Sequence, residues 1–149
     1  MTAAVILADP AESHAFGASL APVVRVGDVI TLAGPLGAGK TSIARGLLAA
    51  LGLVGEAPSP SFAIVQPYAP PETRLPVLHV DLYRIEHSRE LDELGLDDSR
   101  RDAVLLVEWP ERAGEGAWPD ALALTLAVSG EGRALTARVP PGWTQRWPI

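Results

Sequence analysis

A mixed α/β fold is what this chain of 149 residues predicts: a three-layer sandwich, helices on both faces of a mainly parallel sheet with antiparallel additions. Three observations carry that prediction. The apolar run Val29 to Ala33 leads into Gly34-Pro35-Leu36-Gly37-Ala38-Gly39-Lys40-Thr41, and a helical run with Ile43, Leu47, Leu48 and Leu51 leads out. Strand, glycine-rich loop and helix in that order, with G-x-x-x-x-G-K-[ST] matched at every fixed position, is the context of a phosphate-binding P-loop. Val104-Leu105-Leu106-Val107 is a continuous apolar run of strand length, the pattern of a strand buried on both faces. Finally, Leu122, Leu124, Leu126 and Val128 alternate with small or polar residues, as do Leu135, Ala137 and Val139, on either side of Ser129 to Arg133. That is an antiparallel hairpin.

Bulk properties narrow the class. The length suits one domain, residues 1–149, with a real core. No apolar run approaches the roughly 18 residues of a membrane span, and Met1 to Asp9 lacks the basic flank of a secretion signal, so a cytoplasmic location is expected. The absence of cysteine excludes disulfides, thiolate metal sites and thiol nucleophiles. A net charge of −6 argues against a sequence-independent grip on nucleic acid by this chain alone, because such binding rests on neutralising phosphates. Any RNA role then needs a partner.

Along the chain, Asp9-Pro10-Ala11-Glu12 opens a helix: Asp9 as N-cap, Pro10 at the first position, Glu12 reaching back as in a capping box. The helix ends before Pro22, and its face of Ala15, Phe16, Ala18 and Leu20 is expected to lie on the sheet, with His14 in solvent. Gly27-Asp28 turns the chain into the P-loop strand. The next helix carries Gly46 internally, at about 1 kcal/mol relative to Ala, and stops at Gly52. Ala57-Pro58-Ser59-Pro60-Ser61 is an ordered, proline-rich loop. Phe62 to Val65 and Val77 to Leu82 are strands flanking the turn Ala69 to Thr73; with no helical crossover they pair antiparallel. Ser88 caps a short helix stopped by Gly95, whose acidic residues lack calcium-loop spacing and read as a solvated face. The tail after Pro140 carries Trp143 and Trp147, expected to cover the sheet edge, or else to meet a partner.

The loop implies its chemistry. Its glycines let the backbone turn sharply and aim amides of Gly37, Ala38, Gly39, Lys40, Thr41 and Ser42 at a phosphate, with the positive end of the following helix behind them. Lys40 would sit against the β and γ phosphates and the Thr41 hydroxyl on Mg²⁺. Lys40 is the sole lysine beside eleven arginines, and a compact ammonium is what a tight phosphate loop accepts. Hydrolysis needs carboxylates as well, and in an open α/β sheet they stand just beyond the carboxyl ends of strands. Asp81 and Glu108 occupy such positions. His79 shares a strand face with Asp81, but no serine or cysteine nucleophile motif accompanies it, so it reads as structural or supporting. The Ser61 hydroxyl is either a nucleotide-sensing group or a loop cap. The chain has no asparagine, hence no Asn-Lys-x-Asp guanine signature, and ATP is favoured over GTP.

The P-loop, Pro58-Ser59-Pro60-Ser61-Phe62, His79-Val80-Asp81-Leu82-Tyr83-Arg84, Glu90-Leu91 to Leu96, and Val107-Glu108-Trp109-Pro110-Glu111 come in the order and spacing of the TsaE family, which this chain resembles over about residues 10 to 140. The resemblance implies a slow, Mg²⁺-dependent ATPase acting with the TsaD and TsaB proteins in making N6-threonylcarbamoyladenosine (t6A) in tRNA. It would touch tRNA only through that complex and be a monomer or weak oligomer when free. It further implies that Lys40 binds phosphate, Thr41 and Glu108 hold Mg²⁺, Asp81 is the acid near the γ-phosphate, and Trp109 lies beside the site or its partner surface. Pro35, where the family often has Glu, removes one amide from the loop; Ser61, where it often has Thr, keeps the hydroxyl. The alternative readings are a small-metabolite kinase, which needs an acceptor segment and usually an arginine-bearing lid, and a nucleotide-gated binding module without turnover.

Overall fold

The structure, a computed structural model, describes residues 1–55, 57, 64–114 and 116–147. Its strands are β1 (Thr2–Leu7), β2 (Val29–Ala33), β3 (Val65–Tyr68), β4 (Val77–Asp81), β5 (Val104–Glu108), β6 (Leu122–Ser129) and β7 (Gly132–Arg138). The helices are α1 (Pro10–Ser19), α2 (Lys40–Ala50), α3 (Ser88–Leu94) and α4 (Leu96–Ser99). One sheet runs β1-β7-β6-β2-β5-β4-β3. Its centre, β6-β2-β5-β4, is parallel, whereas β1 and β7 at one edge and β3 at the other join antiparallel. This is the expected mixed sheet, and no helix of the described residues is long and apolar enough to cross a membrane.

Strand alternation divides the core. Ile30, Leu32, Leu106, Leu122 and Leu124 face α1 and α2, and Val29, Val80, Leu105 and Val107 face the other side, where Leu82, Ile85, Leu96 and Trp118 cover them. Every residue of β5 is buried, as a strand covered on both faces requires. The β6–β7 hairpin turns through Gly130-Glu131. Asp9 caps α1, its carboxylate accepting from the Glu12 amide at 2.9 Å, while the Glu12 carboxylate reaches back to the Ala8 amide at 3.3 Å, one residue earlier than a strict capping box.

Several expectations need correction. Helix α1 packs most heavily on α2, while its buried Phe16 joins the core on the sheet and Ala15 is exposed. A Cβ at Gly17 would stand 1.9 Å from the Ile43 carbonyl oxygen, and one at Gly46 would stand 1.9 Å from that of His14. Gly46 is therefore a crossing point at which two helix backbones touch, and its propensity cost is the condition of that contact. Met1 to Asp9 contains strand β1, whose small residues give only a weak alternation in sequence. His87, in extended conformation, precedes α3 as N-cap in place of Ser88 and makes no side-chain cap bond. Trp143 and Trp147 are buried in the core cluster that also holds Leu7, Leu135 and Phe16, with the Trp147 and Phe16 rings 5.9 Å apart. Arg146 anchors the tail: it donates to Asp28 at 2.7 and 3.0 Å and to the Val23 carbonyl at 2.8 Å, and lies 4.1 Å over the Trp143 ring. The expected strand Phe62 to Val65 is described only from Val65 onward, and β3 extends to Tyr68. Its Pro67 is tolerated because β3 is an edge strand. The proline-rich loop after Ala57 lies outside the described residues.

Candidate functional site

Parallel pairing brings three strand ends together. In register Leu32 of β2 stands opposite Glu108 of β5, which in turn stands opposite Asp81 of β4. The P-loop leaves β2 one residue past Ala33, so Lys40, Thr41, Asp81 and Glu108 gather at the same end of the sheet. They line a cleft of about 290 Å³ together with Gly37, Ala38, Gly39, Ser42 and Trp109. Ser61 lies outside the described residues.

The loop is shaped to receive an anion. Gly34 and Gly39 adopt positive φ of 147° and 100°, and a Cβ at Gly34 would meet the Leu126 carbonyl at 2.7 Å, so only glycine fits where the loop crosses β6. The Ala38 amide bonds the Pro35 carbonyl at 3.1 Å; the amides of Gly37, Gly39, Lys40 and Thr41 have no acceptor among the described residues. Open amides at the N-terminus of α2 are the donors a phosphate takes. The Lys40 ammonium donates to the Gly34 carbonyl and to that of Pro35 at 3.0 Å, and lies 3.9 Å over the Trp109 ring. Burial holds its pKa below the ordinary 10.5, against Glu108, Glu111 and Asp81, whose negative charges raise it. Pro35, though it lacks an N–H, thus supplies a carbonyl that organises the loop.

Glu108 is 3% exposed and has both oxygens engaged: the Thr41 hydroxyl donates to Oε1 at 3.2 Å, and Nε2 of His79 lies 2.6 Å from Oε2. Asp81, 6% exposed, accepts from the Tyr83 amide at 2.9 Å. A hydroxyl and a carboxylate facing each other offer hard oxygen donors suited to Mg²⁺. Among the described residues no group of three or more His, Asp or Glu side chains could hold a metal. A slightly larger cleft of about 330 Å³ beside Trp118 is lined by Asp92, Asp97 and Asp98, the wrong sign for phosphate.

Sequence reasoning missed three contacts. Trp109 sits at φ 60°, ψ 49°, a left-handed conformation rare for so bulky a residue, and this turns its ring over Lys40 and within 4.8 Å of Tyr83. The family resemblance implied Trp109 beside the site or its partner surface, but not its contact with Lys40. Arg133, from the distant hairpin, donates to the Gly37 carbonyl at 3.1 Å. The His79 bond to Glu108 was visible only as a shared strand face with Asp81.

Comparison with known proteins identifies relatives of this chain. The model of the family described as threonylcarbamoyl adenosine biosynthesis protein TsaE matches residues 7–136. A Streptomyces coelicolor protein named tRNA threonylcarbamoyladenosine biosynthesis protein TsaE is 37% identical over 134 residues, 88% of this chain and 90% of that protein. The Bacillus subtilis protein of the same name is 36% identical over 83% of this chain and 76% of its own length. That of Mycobacterium tuberculosis is 41% identical over 66% of this chain, a match that spans 63% of the mycobacterial protein. The crystal structure of Bacillus subtilis YdiB superposes with a TM-score of 0.81 at 27% identity, covering 98% of this chain and 90% of that one.

Proposed function

Because this chain belongs to the TsaE family, we propose that it is the ATP-binding, slowly hydrolysing accessory ATPase of N6-threonylcarbamoyladenosine biosynthesis in tRNA, working in the cytoplasm with TsaD and TsaB. The observation that carries the reading is the meeting of Lys40, Thr41, Asp81 and Glu108 in one cleft at the P-loop, from segments up to 68 residues apart in numbering (Lys40 to Glu108). The open amides and Lys40 bind the phosphates, and Thr41 with Glu108 holds Mg²⁺, which when bound neutralises charge on the phosphate oxygens. Asp81, the second carboxylate at these strand ends, is left to orient water beside the γ-phosphate. Lys40 donates to the Gly34 and Pro35 carbonyls, and the third N–H of its ammonium is available to a phosphate oxygen. With a net charge of −6, contact with tRNA runs through the partner proteins.

The test is nucleotide binding and phosphate release on purified protein, with and without TsaD and TsaB. Lys40→Ala removes a charge-assisted contact and weakens ATP binding by about 10- to 100-fold. Asp81→Asn and Glu108→Gln lower Mg²⁺-dependent phosphate release more than ATP binding. Parental turnover in both carboxylate variants refutes the site. Transfer of phosphate to a small metabolite, indifferent to TsaD and TsaB, identifies a kinase instead, and binding with no phosphate release in any mixture identifies a nucleotide-gated module.

A further inference from the structure

Glu108 reaches the Thr41 hydroxyl with one oxygen only, so something must hold the other. His79 is 0% exposed in the middle of β4, in register with Leu106 and Gln66, where a strand buried on both faces ordinarily carries an aliphatic residue. Its Nε2 lies 2.6 Å from Glu108 Oε2, and its Nδ1 has no hydrogen-bond partner among the described residues. A carboxylate oxygen accepts, so Nε2 donates to it, and among the described residues the imidazole's one polar contact is with Glu108. Burying an imidazole half-satisfied is unfavourable, whereas a buried carboxylate oxygen left bare is worse. Because β4 and β5 are parallel and His79 lies two residues before the Asp81 that faces Glu108, the ring approaches from the interior side. The far oxygen is thereby pinned inward and Oε1 is left toward Thr41 and the cleft.

We propose that His79 is a positioning residue: it orients the Glu108 carboxylate so that Oε1, with the Thr41 hydroxyl, presents a preformed pair of oxygen donors to the divalent cation of the nucleotide complex. This rests on the reading of Thr41 and Glu108 as cation ligands. Residues that hydrogen-bond a metal ligand from behind fix its rotamer, and their loss typically weakens metal affinity by about 10- to 100-fold. His79 touches neither cation nor nucleotide, so its removal acts on the metal and leaves metal-free nucleotide binding in place.

The experiment measures Mn²⁺ affinity by electron paramagnetic resonance in the presence of saturating ADP, alongside ADP affinity in EDTA, for the parent, His79→Leu, His79→Gln and Glu108→Gln. Glutamine carries an N–H donor at nearly the reach of Nε2, and leucine carries none. His79→Leu is expected to bind Mn²⁺ at least tenfold more weakly with ADP affinity in EDTA within twofold of the parent, and His79→Gln to recover most of the loss. Parental Mn²⁺ affinity in His79→Leu, or equal losses in both His79 variants, overturns the proposal, as does a parallel fall in metal-free ADP affinity. Should His79→Leu fail to fold, His79→Gln decides: Mn²⁺ affinity within about threefold of the parent supports the positioning role, and a tenfold loss in a folded protein overturns it. Glu108→Gln separates the two levels. If it too binds Mn²⁺ like the parent, the cation site itself is misassigned; if it loses Mn²⁺ while His79→Leu keeps it, only the role of His79 fails.

Discussion

Replacing Gly46 by alanine reverses the sign that helix propensity alone dictates. In a helix interior Gly→Ala stabilises by about 1 kcal/mol when nothing opposes the methyl group. Here the new Cβ would lie 1.9 Å from the His14 carbonyl oxygen, where separations below 3.0 Å essentially never occur, so α1 and α2 must part by about 1 Å at their crossing. A radial gap of that size forfeits roughly a quarter to a half of each dispersion contact along the seam, which includes the fully buried Ile43 and Leu47. Overpacking of this kind costs about 3 kcal/mol at the upper end of its usual range. Less the propensity gain, the net loss is about 2 kcal/mol, and the midpoint of thermal unfolding falls by about 4–8 °C. Gly17→Ala meets the Ile43 carbonyl at the same distance and has the same sign. The double variant loses less than the sum, because one separation relieves both clashes. The assay is thermal and urea denaturation of the three variants. A Gly46→Ala protein more stable than the parent refutes the close crossing.

Three further outcomes follow from the structure. Arg146→Ala removes a paired guanidinium from Asp28, whose side chain is 12% exposed, together with a bond to the Val23 carbonyl and the cover over Trp143, and lowers stability by about 2–3 kcal/mol in urea denaturation; a loss below about 0.5 kcal/mol shows the tail anchor to be idle. Asp120 has its pKa lowered from 3.8, first by the hydrogen bond from Arg100, so its contribution is present above pH 3.8 and lost as the pH falls through the folded-state value; with the carboxylate 61% exposed, Asp120→Asn costs well under about 1 kcal/mol at pH 7 and flattens the acid limb of the stability profile, and an unchanged limb counts against the pair. Trp109 reports on Lys40: ADP drawing the ammonium from the ring face changes the tryptophan emission, and Trp109→Phe removes that change, whereas a change persisting in the variant assigns it to another tryptophan.

Local chemistry made much of the architecture legible. The P-loop, the fully buried β5, the cap at Asp9 and the β6–β7 hairpin each depend on residues close together in the chain, and each stands where composition and spacing put it. The acids were legible one at a time, as carboxylates at the exits of apolar strands, although nothing in their spacing tells which exits share an end of the sheet. Packing between distant segments was not legible. Gly46 reads as a weak point of its helix because a missing side chain shows its purpose only when another backbone occupies the space. Trp143 and Trp147 read as edge cover because proline-rich tails carry no periodicity to say which layer they enter.

The amino-acid order by itself determined the layered α/β class and the presence of an anion-binding loop, since backbone conformation and hydrophobic period are properties of short stretches. Only the folded chain decided that Glu108 stands between Thr41 and His79, that Trp109 lies over Lys40, and that α1 rests on α2. Those contacts depend on parallel strand register and on helix approach within an ångström, quantities set by the summed packing of the whole core.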